Sequence, residues 1–293
     1  MAKIFAFGLS VVDFVYRVKT LPDTGDKYFT HDAYIIGGGC AANAAVAISK
    51  LGGQVSFGAR VGSDVIGDMI IKDLEKYGVE LSMVNRAPNS RSSYSSVAVD
   101  PKGERQIINF RGENLIEDTD WLWNAPQADA YLTDAIWPKG GQTVLEVAKK
   151  RDRPGIIDAE ALNDFECLYD ASHVAFSYQG LFSLTKSKDP VLGLKMMKDK
   201  LPGWLCVTHG DKGVYFLDGN KVENIPGFPI KARETLGAGD VWHGAFAFKL
   251  AEGGSEIDAM EFANATAALK CQYTKGRENY PTLDEVEAFQ ATH

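Results

Sequence analysis

The sequence predicts a doubly wound α/β fold carrying a small separate β-sheet, and three observations predict it. Short apolar runs alternate with amphipathic stretches along most of the chain; two glycine clusters each open a helix; and residues 13–36 and 90–110 break that rhythm with β-forming residues. At 293 residues, 45% hydrophobic and 24% charged, the chain has material for one large domain. Neither an internal repeat nor a low-complexity linker marks a cut, so residues 1–293 read as one domain.

Each element follows from its residues. Ile4 to Phe7 forms a first buried strand, because Asp13 and Arg17 interrupt the apolar run too early for a signal peptide. Ala41 to Leu51 and Ile66 to Tyr77 read as helices around a strand at Val55 to Ala59. Further strands are expected at Ala130 to Thr133, Gly155 to Ile157 and Leu205 to Thr208. Ser93 to Val99 and Arg105 to Phe110 make a hairpin across Asp100-Pro101-Lys102-Gly103. Isolated strands are marginal in water, so this small sheet must cover a ligand cleft or meet a second copy of itself. It is read as a lid and a homodimer contact. Helices at Asp240 to Ala251, Glu256 to Gln272 and Leu283 to Ala291 close the chain.

Composition narrows the partners. A formal charge of -8 argues against nucleic acid and membrane surfaces, and no run reaches the roughly 18 apolar residues of a membrane span. Cys40, Cys167, Cys206 and Cys271 lie far apart without a CxxC pair, which suggests a reducing cytoplasm and neither a disulfide framework nor a zinc cluster. A small-molecule partner is expected.

Two motifs carry chemistry. In Glu234-Thr235-Leu236-Gly237-Ala238-Gly239-Asp240, small residues precede a helix whose first-turn amides and dipole favour an anion such as phosphate. Asp240 at that turn is either a proton acceptor for an attacking hydroxyl or a plain helix cap. The second cluster, Gly37-Gly38-Gly39-Cys40-Ala41-Ala42-Asn43, loosely matches a dinucleotide fingerprint. No Asp or Glu stands between Asp32 and Asp64, where the ribose of such a cofactor needs one. Its glycines can instead bring backbone amides up to a polyol, with Asn43 offering a donor and an acceptor. P-loop and protein-kinase motifs are absent.

In this order, with Gly8 to Asp13, Val61 to Gly67 and Val207-Thr208-His209-Gly210, the two glycine motifs resemble the paired signatures of the PfkB (ribokinase-like) carbohydrate kinases. The resemblance covers nearly the whole chain. It implies a three-layer α/β/α sandwich with a mostly parallel sheet, a β lid, and transfer of the ATP γ-phosphate, with Mg2+, to a primary hydroxyl of a sugar. By that similarity Asp240 is the base and the Gly237-Ala238-Gly239 backbone is the anion hole. Asp13, Gly38, Gly39 and Asn43 hold sugar hydroxyls, and Lys27, Asn109 and Arg111 make the acceptor cleft polar. Thr208, Gly210, Gly213, Asn264, Ala267 and Cys271 border the nucleotide.

Several stretches are similar in appearance to ketose kinases, 6-deoxy-6-sulfofructose kinase and ketohexokinase among them, so a keto sugar is expected. They include Gly25 to Tyr28, Lys102 to Phe110 and Asp240 to Ala245. The chain also departs from the pattern. Ile136 stands where the sulfosugar kinases place an arginine, leaving Arg111 or Lys27 to meet any anionic group. Ser177-Tyr178-Gln179-Gly180 lacks the family's Asn-x-x-Glu, so magnesium is expected to be held through waters and the ATP phosphates. Glu234 replaces an Asp associated with a monovalent-cation site, and Lys275 to Asn279 departs from Gly-Gly-Arg-x-Gly. A nucleoside kinase of the same fold and a non-catalytic sugar-binding protein are the competing readings.

Overall fold

The computed structural model describes residues 1–160, 165–274 and 276–293; Lys275 lies outside the described residues. The strands are β1 (Lys3–Phe7), β2 (Val11–Arg17), β3 (Asp32–Gly38), β4 (Gln54–Gly62), β5 (Glu80–Ala87), β6 (Tyr94–Val99) and β7 (Arg105–Phe110). They continue with β8 (Ala130–Asp134), β9 (Gly155–Ala159), β10 (His173–Ser177), β11 (Trp204–Thr208), β12 (Val214–Asp218) and β13 (Lys221–Ile225). Helices are α1 (Cys40–Lys50), α2 (Val65–Lys76), α3 (Pro138–Lys150), α4 (Tyr178–Thr185), α5 (Pro190–Lys198), α6 (Ala238–Ala251), α7 (Glu256–Cys271) and α8 (Leu283–Thr292).

Among the described residues nine strands form the main sheet, in the order β13-β12-β11-β10-β9-β8-β1-β4-β5. All neighbours from β11 to β5 run parallel, and β12 and β13 add an antiparallel edge. Alternation within each strand builds two cores. Ile4 and Ala6 of β1 face a core shared with α1, α6 and α7, while Phe5 and Phe7 face one shared with α3. In the same way Ala175 and Cys206 point toward the first side, and Val174, Phe176, Leu205 and Val207 pack under α4 and α5. The result is the three-layer sandwich expected from the sequence.

Helices α1 and α6 approach closely because their facing residues are small. A side chain at Gly244 would meet Ala44 O at 2.7 Å and Ala47 Cβ at 3.2 Å. That contact brings the two helix N-termini together at the carboxyl end of the sheet.

The segments that broke the rhythm supply a second sheet, ordered β3-β2-β6-β7. Its β6–β7 hairpin turns at Gly103, whose φ of 85° suits glycine. The parallel pairing of β2 with β6 aligns Asp13, Ser95 and Asn109 on one face. The other face carries Tyr16, Ile35 and Ile108, which are 37%, 53% and 71% exposed. Among the described residues no helix is long and apolar enough to cross a membrane, and none of the four cysteines is disulfide-bonded.

Phe176 is fully buried beneath α4 and α5. Phe176→Ala should cost about 3–5 kcal/mol in urea unfolding, lowering the midpoint at an unchanged m-value.

Candidate active site

The site forms where β1, β2, α1 and α6 converge. Gly39 has φ 97°, and a side chain there would strike Leu9 O at 2.4 Å, so the chain enters α1 hard against the β1–β2 turn. Gly38 is equally constrained, since its added Cβ would lie 2.1 Å from Asp13 Oδ2. The glycine cluster thus makes room for a carboxylate. Burial pushes the Asp13 carboxyl above its usual range, against the Ser95 hydroxyl and the Arg277 charge.

Helix α6 starts at Gly237, whose φ of 74° lies in the left-handed region. The amide of Ala238 already donates to Thr235 O at 3.2 Å. Those of Gly239 and Asp240 have no carbonyl four residues back inside the helix and point out of its first turn. Asp240 sits among them, with Oδ2 accepting a 2.6 Å bond from Asn43 Nδ2. Burial, then the Asp158 charge, pushes the Asp240 carboxyl up to about 7, while the Asn43 bond opposes the shift. Cys40 Sγ, Asp158 and Asp240 offer ligand atoms within 4.8 Å of one another, and Cys40 Sγ lies 3.6 Å from Glu160 Oε2.

Asn43 is held at both ends, because Arg277 Nε donates to its Oδ1 at 2.8 Å. Arg277 is 4% exposed; it also donates to Gly38 O at 2.9 Å and pairs with Asp73. Asp134, 3% exposed, ties the other rim: its carboxylate accepts from the amides of Leu9 (2.6 Å), Ala41 (3.3 Å) and Ile136 (3.0 Å). Arg277, Asp134, Asp158 and Glu160 escaped the sequence reading. One signal for two of them was present: Asp134 and Asp158 end apolar parallel strands, where α/β folds place their ligands.

The remaining expected residues fall into four places. Asn109 Nδ2 donates to Ser95 Oγ at 3.0 Å, beside Asp13. Arg111 lines a cavity of about 400 Å³ with Gly8, Ser10, Arg60 and Ile136, and Arg60 stacks 3.8 Å over Trp137. Lys27 is exposed on the segment between β2 and β3.

Thr208 ends β11, and Gly210 (φ 56°) and Gly213 (φ 81°) shape the turn that follows. A Cβ at Gly213 would meet Ile225 O at 2.1 Å. Asn264 reaches the same segment, 3.4 Å from the carbonyls of Ile225 and Pro226, and accepts from Trp242 Nε1 at 2.8 Å. Ala267 and Cys271 follow it on α7, and Cys271 O accepts from the amides of Arg233 and Glu234. His243 is buried, its Nδ1 2.8 Å from Gly239 O and 3.4 Å from Asp158 Oδ2 and its Nε2 3.2 Å from Ala175 O. Ser177 caps α4 by accepting from Gly180 N at 3.0 Å.

Residues 1–283 match the pfkB family of carbohydrate kinases, and the chain belongs to that family. It is therefore an ATP-dependent phosphotransferase acting on sugars. A ribokinase of Bacillus subtilis is 28% identical, with 98% of this chain and 99% of the relative covered. A probable fructokinase-5 of Arabidopsis thaliana is 29% identical over 93% and 92% of the two chains. Among solved structures, a putative ribokinase from Agrobacterium tumefaciens superposes with TM-score 0.92 at 30% identity, covering 99% of this chain and 98% of that one.

The raised Asp240 carboxyl has a cost for folding. Its folded value of about 7 exceeds the usual 3.8, so relative stability is full below 3.8 and is lost as pH rises through 7. Asp240→Asn removes that loss, and its thermal midpoint should exceed the native one at pH 8 by more than at pH 5.

Proposed function

We propose that the enzyme transfers the γ-phosphoryl group of ATP to a primary hydroxyl of a small ketose or ketose derivative, with Asp240 as general base. The observation that carries this reading is a carboxylate poised near neutrality inside the first turn of α6, beside outward-facing amides. Asp240 takes the proton of the attacking hydroxyl. The Gly237–Gly239 backbone, joined by the Asp240 amide, receives the charge that gathers on the transferred group. Asp13 accepts from sugar hydroxyls, with Gly38 and Gly39 leaving space for it and Asn109 extending the polar surface. Asn43, bridging Arg277 and Asp240, sets the orientation of the base.

The nucleotide lies along Thr208, Gly210 and Gly213, with Asn264, Ala267 and Cys271 behind. Magnesium fits the hard oxygen donors that Asp158 and Glu160 bring to this end of the sheet, directly or through water. When bound it neutralises phosphate charge. The small sheet acts as a lid over the acceptor, and its exposed Tyr16, Ile35 and Ile108 face meets a second copy of the chain. The four cysteines, none in a disulfide, suit a reducing cytoplasm.

A ribose acceptor is the second reading, favoured by the 28%-identical ribokinase, whereas the ketose reading draws on the 29%-identical probable fructokinase-5. ADP release should be followed with fructose, fructose 6-phosphate, 6-deoxy-6-sulfofructose, ribose and adenosine. A ketose should give the highest kcat/KM; ribose or adenosine in that position would overturn the ketose assignment. Asp240→Asn should lower kcat by about 10²- to 10⁴-fold. Since the base acts deprotonated, kcat/KM should rise with pH to a plateau through a midpoint near the Asp240 value of about 7, and Asp158→Asn should move that midpoint to lower pH. Light scattering should find a dimer for the native chain and a monomer for Ile35→Glu combined with Ile108→Glu.

A further inference from the structure

Helix α7 ends on Lys270 and Cys271, and Lys270 is 2% exposed. An ammonium removed so completely from water must be met by acceptors. Lys270 Nζ donates to Glu234 O at 3.1 Å and to Leu236 O, and Glu234 Oε1 lies 3.9 Å away. Burial lowers its pKa, while the charges of Glu234, Cys271 and Asp240 hold the proton on. The same loop is fastened to the helix end a second time, by the amides of Arg233 and Glu234 donating to Cys271 O at 2.8 and 3.2 Å. From the small sheet, Arg105 Nη2 donates to Thr235 Oγ1 at 3.2 Å.

These bonds fall on the residues that lead directly into Gly237. Thr235 O receives the Ala238 amide, and Gly237 O receives the Val241 amide, so the carbonyls of 234–237 set how α6 begins. Two inward carbonyls beside a buried carboxylate form a cradle for a cation, of the kind that replaces water around potassium or ammonium. Here the chain supplies the cation itself. A monovalent cation, whose site Glu234 puts in question by replacing the family's Asp, therefore does not fit here, because Lys270 already binds the carbonyl oxygens such an ion would need.

We propose that Lys270 is an internal cation, a positioning residue whose ammonium fixes the Glu234–Leu236 carbonyls and through them the Gly237–Gly239 turn, so that turnover needs no added monovalent cation. This rests on that turn receiving the transferred phosphate. Lys270→Met keeps the bulk of the side chain and leaves the cradle without its charge.

The experiment compares kcat of the native enzyme, Lys270→Met and Asp240→Asn in choline, potassium and ammonium chlorides at one ionic strength, with circular dichroism to verify folding. The native enzyme should turn over equally in all three salts. Lys270→Met should lose about a hundredfold in kcat in choline, the cost of a misplaced catalytic turn, and recover much of it in potassium or ammonium. Native activity that depends on potassium overturns the proposal, as does a folded Lys270→Met that keeps full kcat in choline or stays inactive in every salt. Should Lys270→Met not fold, the native comparison decides alone. Asp240→Asn is expected to stay about 10²- to 10⁴-fold below the native kcat in every salt; near-native activity there would instead overturn the assignment of the base, leaving the salt response of Lys270→Met to be read independently.

Discussion

The close contact of α1 with α6 is the constraint on which the site depends. Gly244 against Ala44 O allows an approach that any side chain at that position would prevent. Only at that spacing can Asn43, in the first turn of one helix, bond Asp240, in the first turn of the other, at 2.6 Å. The runs of alanine in α1 and of small residues in α6 are thus more than good helix formers. They set the distance between two glycine-led helix starts that come from opposite parts of the chain.

Around that junction carboxylates gather at the start of α6, and buried cations brace the segments that lead into it. Asp158, Glu160 and Asp240 crowd one another, and the resulting repulsion, added to burial, keeps Asp240 basic enough to accept a proton at neutral pH. Arg277 and Lys270 are those cations, each almost wholly buried and each bonded to a backbone carbonyl of a loop that enters the site. Burying charges on this scale is costly for folding, and such costs gather at functional sites. The large two-sided core makes them tolerable.

Much of this was legible in the residues. The βα rhythm, the Asp100–Gly103 hairpin turn and the glycine clusters are local signals, and each matches an element of the structure. Arg277 was not legible, because its partners Gly38, Asn43 and Asp73 lie more than 200 residues earlier and meet it only through the packing of its loop on α1 and α2. The role of Asn43 was half visible: the side chain offers a donor and an acceptor, but which groups take them is set by topology. The parallel pairing of β2 with β6 was likewise hidden, since periodicity identifies a strand and not its neighbour. Lys27 carries no local signal that separates cleft from solvent, and the structure leaves it exposed.

The same topology divides the candidate site between the sandwich and the small sheet. Asp240, Asn43 and the α6 turn belong to the sandwich, where a displacement would disturb both helices and the sheet beneath them. Ser95 and Asn109 belong to the small sheet, whose register with Asp13 is fixed by strand pairing and not by the main core. Arg60 and Arg111 line a cavity together with Gly8 and Ser10 of the β1–β2 turn. Substitutions there would reshape the cavity and leave the Asn43–Asp240 bond in place. Arg105, bonded to Thr235, and Arg17, 3.9 Å from Glu234, both carry the small sheet to the loop ahead of α6. A displacement of the small sheet would therefore be felt in that loop through two guanidiniums.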